Sequence, residues 1–222
     1  MGDRRAKDAL WEQFAAVGKA LASPKRLELL DLLAQGERSV DGLARAAGLG
    51  VTSCSAHLQT LRHAGLVRTR RAGTTVFYSL AGDDVATLLA QVRAVAAAHR
   101  AETQRARLAY LGGDDGVEQV SREELLARAN AGGVVVLDVR PTEEYEAGHI
   151  PGAVSVPVET LAARLAELPS EVAVVAYCRG AYCVLAHDAV RLLRARGVAA
   201  GRLADGMVEW RLAGLPVATG TT

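Results

Sequence analysis

Aromatic side chains are scarce in this sequence: Phe, Trp and Tyr together make up 4% of its 222 residues. Any core must therefore be assembled from Leu, Val and Ala, which the 50% hydrophobic content supplies. Cysteine is scarcer still. Three thiols do not make the disulfide framework of a small secreted protein, so the chain reads as cytoplasmic, with its cysteines reduced unless chemistry uses them. No apolar run approaches the roughly 18 residues of a membrane span. The opening MGDRRAKDALWEQF carries charge with no apolar signal core behind it. Neither a membrane partner nor a secretory signal is expected, and no repeat of about 20–50 residues marks a solenoid.

The length leaves room for two ordinary domains, and charge separates them. The net charge of +1 conceals 16 Lys/Arg against 10 Asp/Glu in residues 1–110, and 10 against 15 in residues 111–222. A basic half joined to an acidic half points to separate partners, with a polyanion for the first. The stretch YLGGDDGVEQ (110–119) marks the division: Gly112, Gly113 and Gly116 break periodicity, and Asp114 and Asp115 keep it wet. The expected domains are 1–111 and 118–222, with a linker at 112–117.

The first half reads as helices followed by a hairpin. Apolar spacing predicts a helix over about 7–21; Ser23-Pro24, as N-cap and N1, starts another through about 34. Ser39 starts a short helix to about 47, with Gly48 and Gly50 around the turn that follows. The next helix, about 51–64, places Val51, Cys54, Leu58 and Leu61 on one apolar stripe, and Gly65 ends it. LVRTRRAGTTVFYSL alternates on both sides of Ala72-Gly73, a β-hairpin. A long helix over about 83–108 completes the half, with Val85, Leu88, Leu89, Val92, Val95 and Ala96 on one face. Two short helices, a glycine turn and an arginine-bearing hairpin form a winged helix-turn-helix. Opposite its stripe the second helix presents Thr52, Ser53, Ser55, Ala56, His57, Gln59, Thr60 and Arg62, groups suited to groove edges and phosphates. In the hairpin, Arg68, Arg70 and Arg71 suit phosphates or the minor groove. Cys54 lies on the apolar stripe and reads as a small hydrophobe of the core.

The phrases SPKRLELLDLL, SAHLQTLRHAGLV and GTTVFYSL, in that order, resemble the ArsR family of bacterial repressors over about residues 10–108. The resemblance implies a homodimer, with the first and last helices as interface, on a palindromic double-stranded DNA operator. Family members commonly respond to metals, but the expected ligands are missing. RSVDGLARAAG has no cysteine where a thiolate site would sit. His99 and Glu102 match half of another family site, whose other positions fall at Ala86 and Leu88, which cannot bind metal. No metal or other cofactor is expected.

The second half alternates strands and helices. Ser121 and Glu124 open a helix as a capping box; VVVLDVR, VSVPV and VAVVAY are strands; LAARLAEL and about 182–196 are helices. This is an α/β pattern, a parallel sheet with helices on both faces, whose site lies at the carboxyl ends of the strands. In VVAYCRGAYCVLAHDAV (174–190), Cys178 sits at that point. Backbone N–H groups and a helix N-terminus there would favour the thiolate and stabilise the terminal charge of a persulfide. Arg179 adds a cation near the rim, and Gly180 lets the backbone curl. A phosphatase cradle needs arginine six residues after its cysteine, and Val184 occupies that place. A redox dithiol motif spaces its cysteines by two residues, whereas four separate Cys178 from Cys183.

LDVRPTEEYEAGHIPGAVSVP and DGMVEWRLAGLPV, with the cysteine loop between them, resemble the signatures of single-domain rhodaneses over about residues 118–219. The resemblance implies a sulfurtransferase fold with Cys178 as nucleophile, served by a small sulfur donor and a thiol acceptor. Asp138, Arg140, His149 and Trp210 belong to those signatures and read as scaffold, with Arg140 able to assist. The loop departs from the family pattern: glycine comes two residues after the cysteine, and Cys183 stands at position five. Cys183 reads either as packing or as a thiol that attacks persulfidated Cys178. The expected protein is a DNA-binding regulator whose rhodanese domain senses or transfers sulfur. The alternatives are a sulfurtransferase that controls its own expression, and a metalloid-responsive repressor using Cys178 and Cys183.

Overall fold

The structure, a computed structural model, describes residues 3–113, 116–167 and 172–220. The expected linker residues Asp114 and Asp115 and the end of LAARLAEL, Leu168, lie outside them. The chain divides into two compact units, Met1–Arg93 and Ala94–Thr222.

The first unit runs α1 (Arg4–Leu21), α2 (Pro24–Leu33), β1 (Arg38–Ser39), α3 (Val40–Ala46), α4 (Val51–His63), β2 (Val67–Ala72), β3 (Thr75–Leu80) and the start of α5 (Asp83–His99). Its helix ends follow from local chemistry. Asp3 caps α1 by accepting from the Arg5 N–H, and Ser39 caps α3 by accepting from the Gly42 N–H at 3.1 Å. Ser23, expected as a cap, makes no side-chain bond. Pro24 at the first turn has no N–H to satisfy, which is why α2 starts without it. Gly65, at φ 73°, ends α4 as the glycine of a Schellman motif: Leu66 N–H reaches Leu61 O (3.0 Å) and Gly65 N–H reaches Arg62 O (2.9 Å).

Leu29, Leu30, Leu43, Leu58 and Leu61 are fully buried in one core, each stabilising by about 1.5–3 kcal/mol. Cys54 lies in that core with its thiol 3.8 Å from Val40 O, and burial, then Asp41, raises its pKa. Val51, expected on the same stripe, is 50% exposed, because it is the first residue of the helix. The hairpin is antiparallel, with Arg70 opposite Phe77 and Arg71 opposite Val76; β1 adds a strand beside β3 that the sequence did not announce.

The second unit contains the end of α5 and then α6 (Ala101–Leu111), β4 (Gln119–Val120), α7 (Arg122–Asn130), β5 (Val134–Asp138), α8 (Thr142–Ala147), β6 (Val154–Ser155), α9 (Val158–Arg164), a 3-10 turn (Leu165–Glu167), β7 (Ala173–Tyr177), α10 (Val184–Ala195), β8 (Ala200–Leu203) and α11 (Met207–Leu212). The expected single helix over 83–108 is two. Arg100 adopts an extended conformation (φ −124°, ψ 107°) between α5 and α6, and Val95, expected on the packed face, is 58% exposed. With few contacts to hold α5 straight, the chain bends, and α6 packs against α10 of its own unit.

Among the described residues the strands form one parallel sheet in the order β4-β8-β7-β5-β6. Side-chain alternation divides the core. Val174 and Ala176 of β7 pack with α10 on one face, while Val175 and Tyr177 meet Tyr145, Met207 and Trp210 on the other. Ser121 caps α7 through the Glu124 N–H (3.1 Å), but the Glu124 carboxylate turns to Arg128. No helix among the described residues is long and apolar enough to cross a membrane.

Candidate functional site

Cys178 follows the last residue of β7, in a loop that ends where α10 begins. Three features hold that loop. Cys183 N–H closes a turn onto Gly180 O (3.0 Å). The start of α11 pins the loop carbonyls, Met207 N–H to Cys178 O (2.9 Å) and Val208 N–H to Arg179 O (3.1 Å). Gly206 packs so closely that a Cβ there would lie 2.3 Å from Gly180 N. A Cβ on Gly180 would itself meet the Glu209 carboxylate at 3.0 Å, so the curl expected of this glycine is imposed by a packed neighbour.

The two sulfurs share one pocket. Cys178 is 2% exposed and Cys183 is half-buried. The Cys178 thiol lies 3.4 Å from Cys183 O, and the two side chains hydrogen-bond to each other. The Cys178 thiol also lies 3.9 Å from Gly180 O. The strand-to-helix placement led to the expectation of a readily ionised Cys178. Burial instead pushes the Cys178 thiol well up, and the hydrogen bond to Cys183 adds to this. Cys183, the N-cap of α10, is lowered to about 7, chiefly by that same bond from Cys178. Of the two thiols, Cys183 is therefore the one that ionises first.

The expected cations are otherwise engaged. Arg179 donates to both oxygens of Glu144 (Nε at 2.9 and 3.0 Å, Nη2 at 2.7 Å), and the Glu144 side chain is 1% exposed. Arg140 is fully buried, bonded to Asp138 and to Gly148 O (2.7 Å), with its guanidinium 5.6 Å from the Tyr177 ring. His149 stacks on Tyr145 at 3.7 Å, and Trp210 donates to Pro216 O at 2.8 Å. These groups brace the loop's surroundings, the scaffold role that the sequence pattern implied. The space in front of Cys178 is about 10 Å³, lined among others by Arg107, Cys183, His187, Arg202 and Asp205. Sequence reasoning missed Arg107 on α6, Glu144 on α8 and Tyr110. Tyr110 is raised by desolvation and then by Cys183, a sign of its proximity. Nothing in sequence spacing signals contacts so distant along the chain.

The basic surface of the first unit is also sorted by the structure. Thr52, Ser53, Ala56, Thr60 and Arg62 of α4 are exposed, whereas Ser55, His57 and Gln59 are half-buried. Gln59 donates to Tyr78 Oη (3.0 Å), and the Thr60 hydroxyl donates to Ala56 O (3.1 Å). In the hairpin, Arg70 pairs with Glu37 and lies 4.9 Å from the Phe77 ring. Strand alternation puts Arg71 on the face opposite Arg68 and Arg70. His99 is exposed and Glu102 pairs with Arg105; among the described residues no group of three His, Cys, Asp or Glu is arranged to hold a metal.

A helix-turn-helix with a wing, followed by a cysteine-bearing parallel sheet, is the arrangement of a DNA-binding regulator joined to an α/β domain. The family models agree: residues 23–69 match the bacterial regulatory protein, arsR family, and residues 121–213 the rhodanese-like domain. The HTH-type transcriptional regulator Rv0324 of Mycobacterium tuberculosis is 54% identical over 219 residues, 99% of this chain and 96% of that protein. The chain therefore belongs to the arsR family of transcriptional regulators and carries a rhodanese domain. Nodulation protein NolR of Rhizobium meliloti is 44% identical over 70 residues, 32% of this chain and 57% of that protein. Among solved structures, the homodimeric winged helix-turn-helix DNA-binding domain Mb0332 (fragment 1–100) of Mycobacterium bovis is 52% identical. It covers 46% of this chain and 93% of that one, with a TM-score of 0.42.

Proposed function

We propose that this regulator reads reactive sulfur through Cys178 and passes the state of that thiol to its DNA-binding unit. It would act in the cytoplasm as a homodimer on a double-stranded operator. The exposed faces of Thr52, Ser53, Thr60 and Arg62 would meet the groove, and Arg68 and Arg71 the phosphates. Leu10, Trp11 and Phe14, all more than half exposed on α1, form an apolar face of the kind a dimer buries. The observation that carries the sulfur reading is the shared pocket at the end of β7, lined by Cys178 and by Cys183, the N-cap of α10, with the Cys178 thiol 3.4 Å from Cys183 O.

In the proposed reaction the Cys183 thiolate takes the proton of Cys178. The Cys178 thiolate attacks the outer sulfur of a donor such as thiosulfate: a Cys178–sulfur bond forms, the donor's S–S bond breaks, and sulfite leaves with the electron pair. The persulfide charge then lies among the loop N–H groups. An acceptor thiol removes the outer sulfur, or Cys183 attacks Cys178 Sγ and expels hydrosulfide, closing a disulfide.

The burial of Cys178 and its raised pKa favour slow loading, as in a sensor, over rapid turnover. Arsenite capture by Cys178 and Cys183 would lack a third thiol among the described residues of that unit. The test is operator affinity at fixed salt, by fluorescence anisotropy, before and after polysulfide treatment. A change that disappears in Cys178→Ser supports the sensor. Unchanged affinity with the persulfide confirmed on Cys178 by mass spectrometry leaves an enzyme tethered to a repressor.

A further inference from the structure

The sulfur domain's own arginines are poorly placed to receive an anion. Arg179 is held by Glu144, Arg140 by Asp138, and Arg122 by Asp205 at 3.1 Å. Around the Cys178 cavity the remaining cations are Arg202, nine-tenths buried on β8, and Arg107, half-buried on α6. Arg107 makes no ion pair with the described residues, in contrast to Arg105 on the same helix, which pairs with Glu102. A cavity of about 10 Å³ has room for about one water. Arg107 contributes to the lining of that cavity from α6, where it can meet an anion that approaches Cys178.

Resting on the sulfur reading above, we propose that Arg107 is a donor-binding residue of the Cys178 site, selecting sulfur donors that themselves carry an anionic sulfonate group. Arg107 lies outside residues 121–213, the extent of the rhodanese match. The site is thus completed by a helix that the domain itself does not contain. The guanidinium holds the sulfonate oxygens by charge-assisted hydrogen bonds while Cys178 attacks the outer sulfur and sulfite departs with the bonding pair.

The experiment follows modification of Cys178 in the full chain by mass spectrometry after trypsin, which separates Cys178 from Cys183 at Arg179. Two probes are used: thiosulfate, a dianion, and methyl methanethiosulfonate, which is neutral. Arg107→Ala should slow persulfidation by thiosulfate about tenfold and leave methylthiolation within twofold, Arg107→Lys should keep most of the thiosulfate rate, and Arg105→Ala should match the unaltered chain with both probes. Equal slowing with both probes would reduce Arg107 to a support of α6, and an unchanged thiosulfate rate would also overturn the assignment. An unaltered chain that accepts the neutral probe but never thiosulfate defeats this assignment alone, whereas no modification of Cys178 by either probe defeats the sulfur reading itself.

Discussion

At the scale of single residues, the division of labour between the two thiols is set by burial. Cys178 is enclosed and raised, so its proton stays until something takes it; Cys183, at the start of α10 and beside Arg179, carries the charge. A cysteine lowered to about 7 is mostly protonated at pH 6 and mostly thiolate at pH 8. Alkylation of Cys183 by iodoacetamide should therefore rise about tenfold per pH unit below pH 7 and level off above it. The largest cause is the hydrogen bond donated by Cys178. In Cys178→Ala that donor is gone, and the midpoint should move upward toward an ordinary thiol. An unmoved midpoint would transfer the effect to Arg179 and the helix terminus. The placement of Cys178, at the end of an apolar strand and ahead of a helix, was legible in the sequence, because the apolar run stops there and helical periodicity resumes at Val184. Its protonation state was not. It depends on enclosure by α6, β8 and α11, which no local pattern encodes.

At the scale of elements, legibility followed length and periodicity. The apolar runs of β5 and β7 and the stripe of α4 were visible, since alternation and 3.6-residue spacing survive in single sequences. β1, β4 and β6 are two residues each, too short to show a period; VSVPV nonetheless marked the third. The break at Arg100 has neither glycine nor proline to announce it. The interplay of α11 with the cysteine loop was equally hidden, although Gly206 records it. Its φ of −148° suits any residue, so the glycine is demanded by space alone: an added Cβ meets Gly180 Cα at 2.4 Å and Cys178 O at 2.6 Å. These neighbours are backbone and cannot turn aside. Gly206→Ala should destabilise the second unit by about 1–3 kcal/mol, the range for overpacking, as read by denaturant midpoint. It should also loosen the cysteine loop, seen as faster amide exchange there. Gly180→Ala meets a side-chain end and no backbone, the Glu209 carboxylate that accepts from the Gly206 N–H, and should cost less. Equal effects of the two substitutions would refute this account of the loop.

For the whole molecule, the proposed sulfur response requires that the state of a thiol in one unit reach the helix-turn-helix of the other. A ligand shifts an equilibrium only by its differential affinity for the two states, so some element must differ between the loaded and unloaded forms. The chain offers one continuous route. α5 leaves the winged-helix core, Arg100 interrupts it, and α6 continues to the sulfur pocket, where Arg107 lines the cavity. In the proposed coupling, α6 is tied in direction to α5 by the single extended residue Arg100. Inserting Gly-Ser-Gly-Ser after Arg100 would remove that constraint while leaving both cores intact. The insertion variant should bind operator with unchanged affinity when reduced and should still take sulfur at Cys178. Its operator affinity should no longer respond to polysulfide, a loss of the coupling free energy between the sites and of neither site's own binding. Retained response would mean that the units communicate through some surface other than this helix pair, and the role of Arg107 would then be confined to the chemistry of the donor.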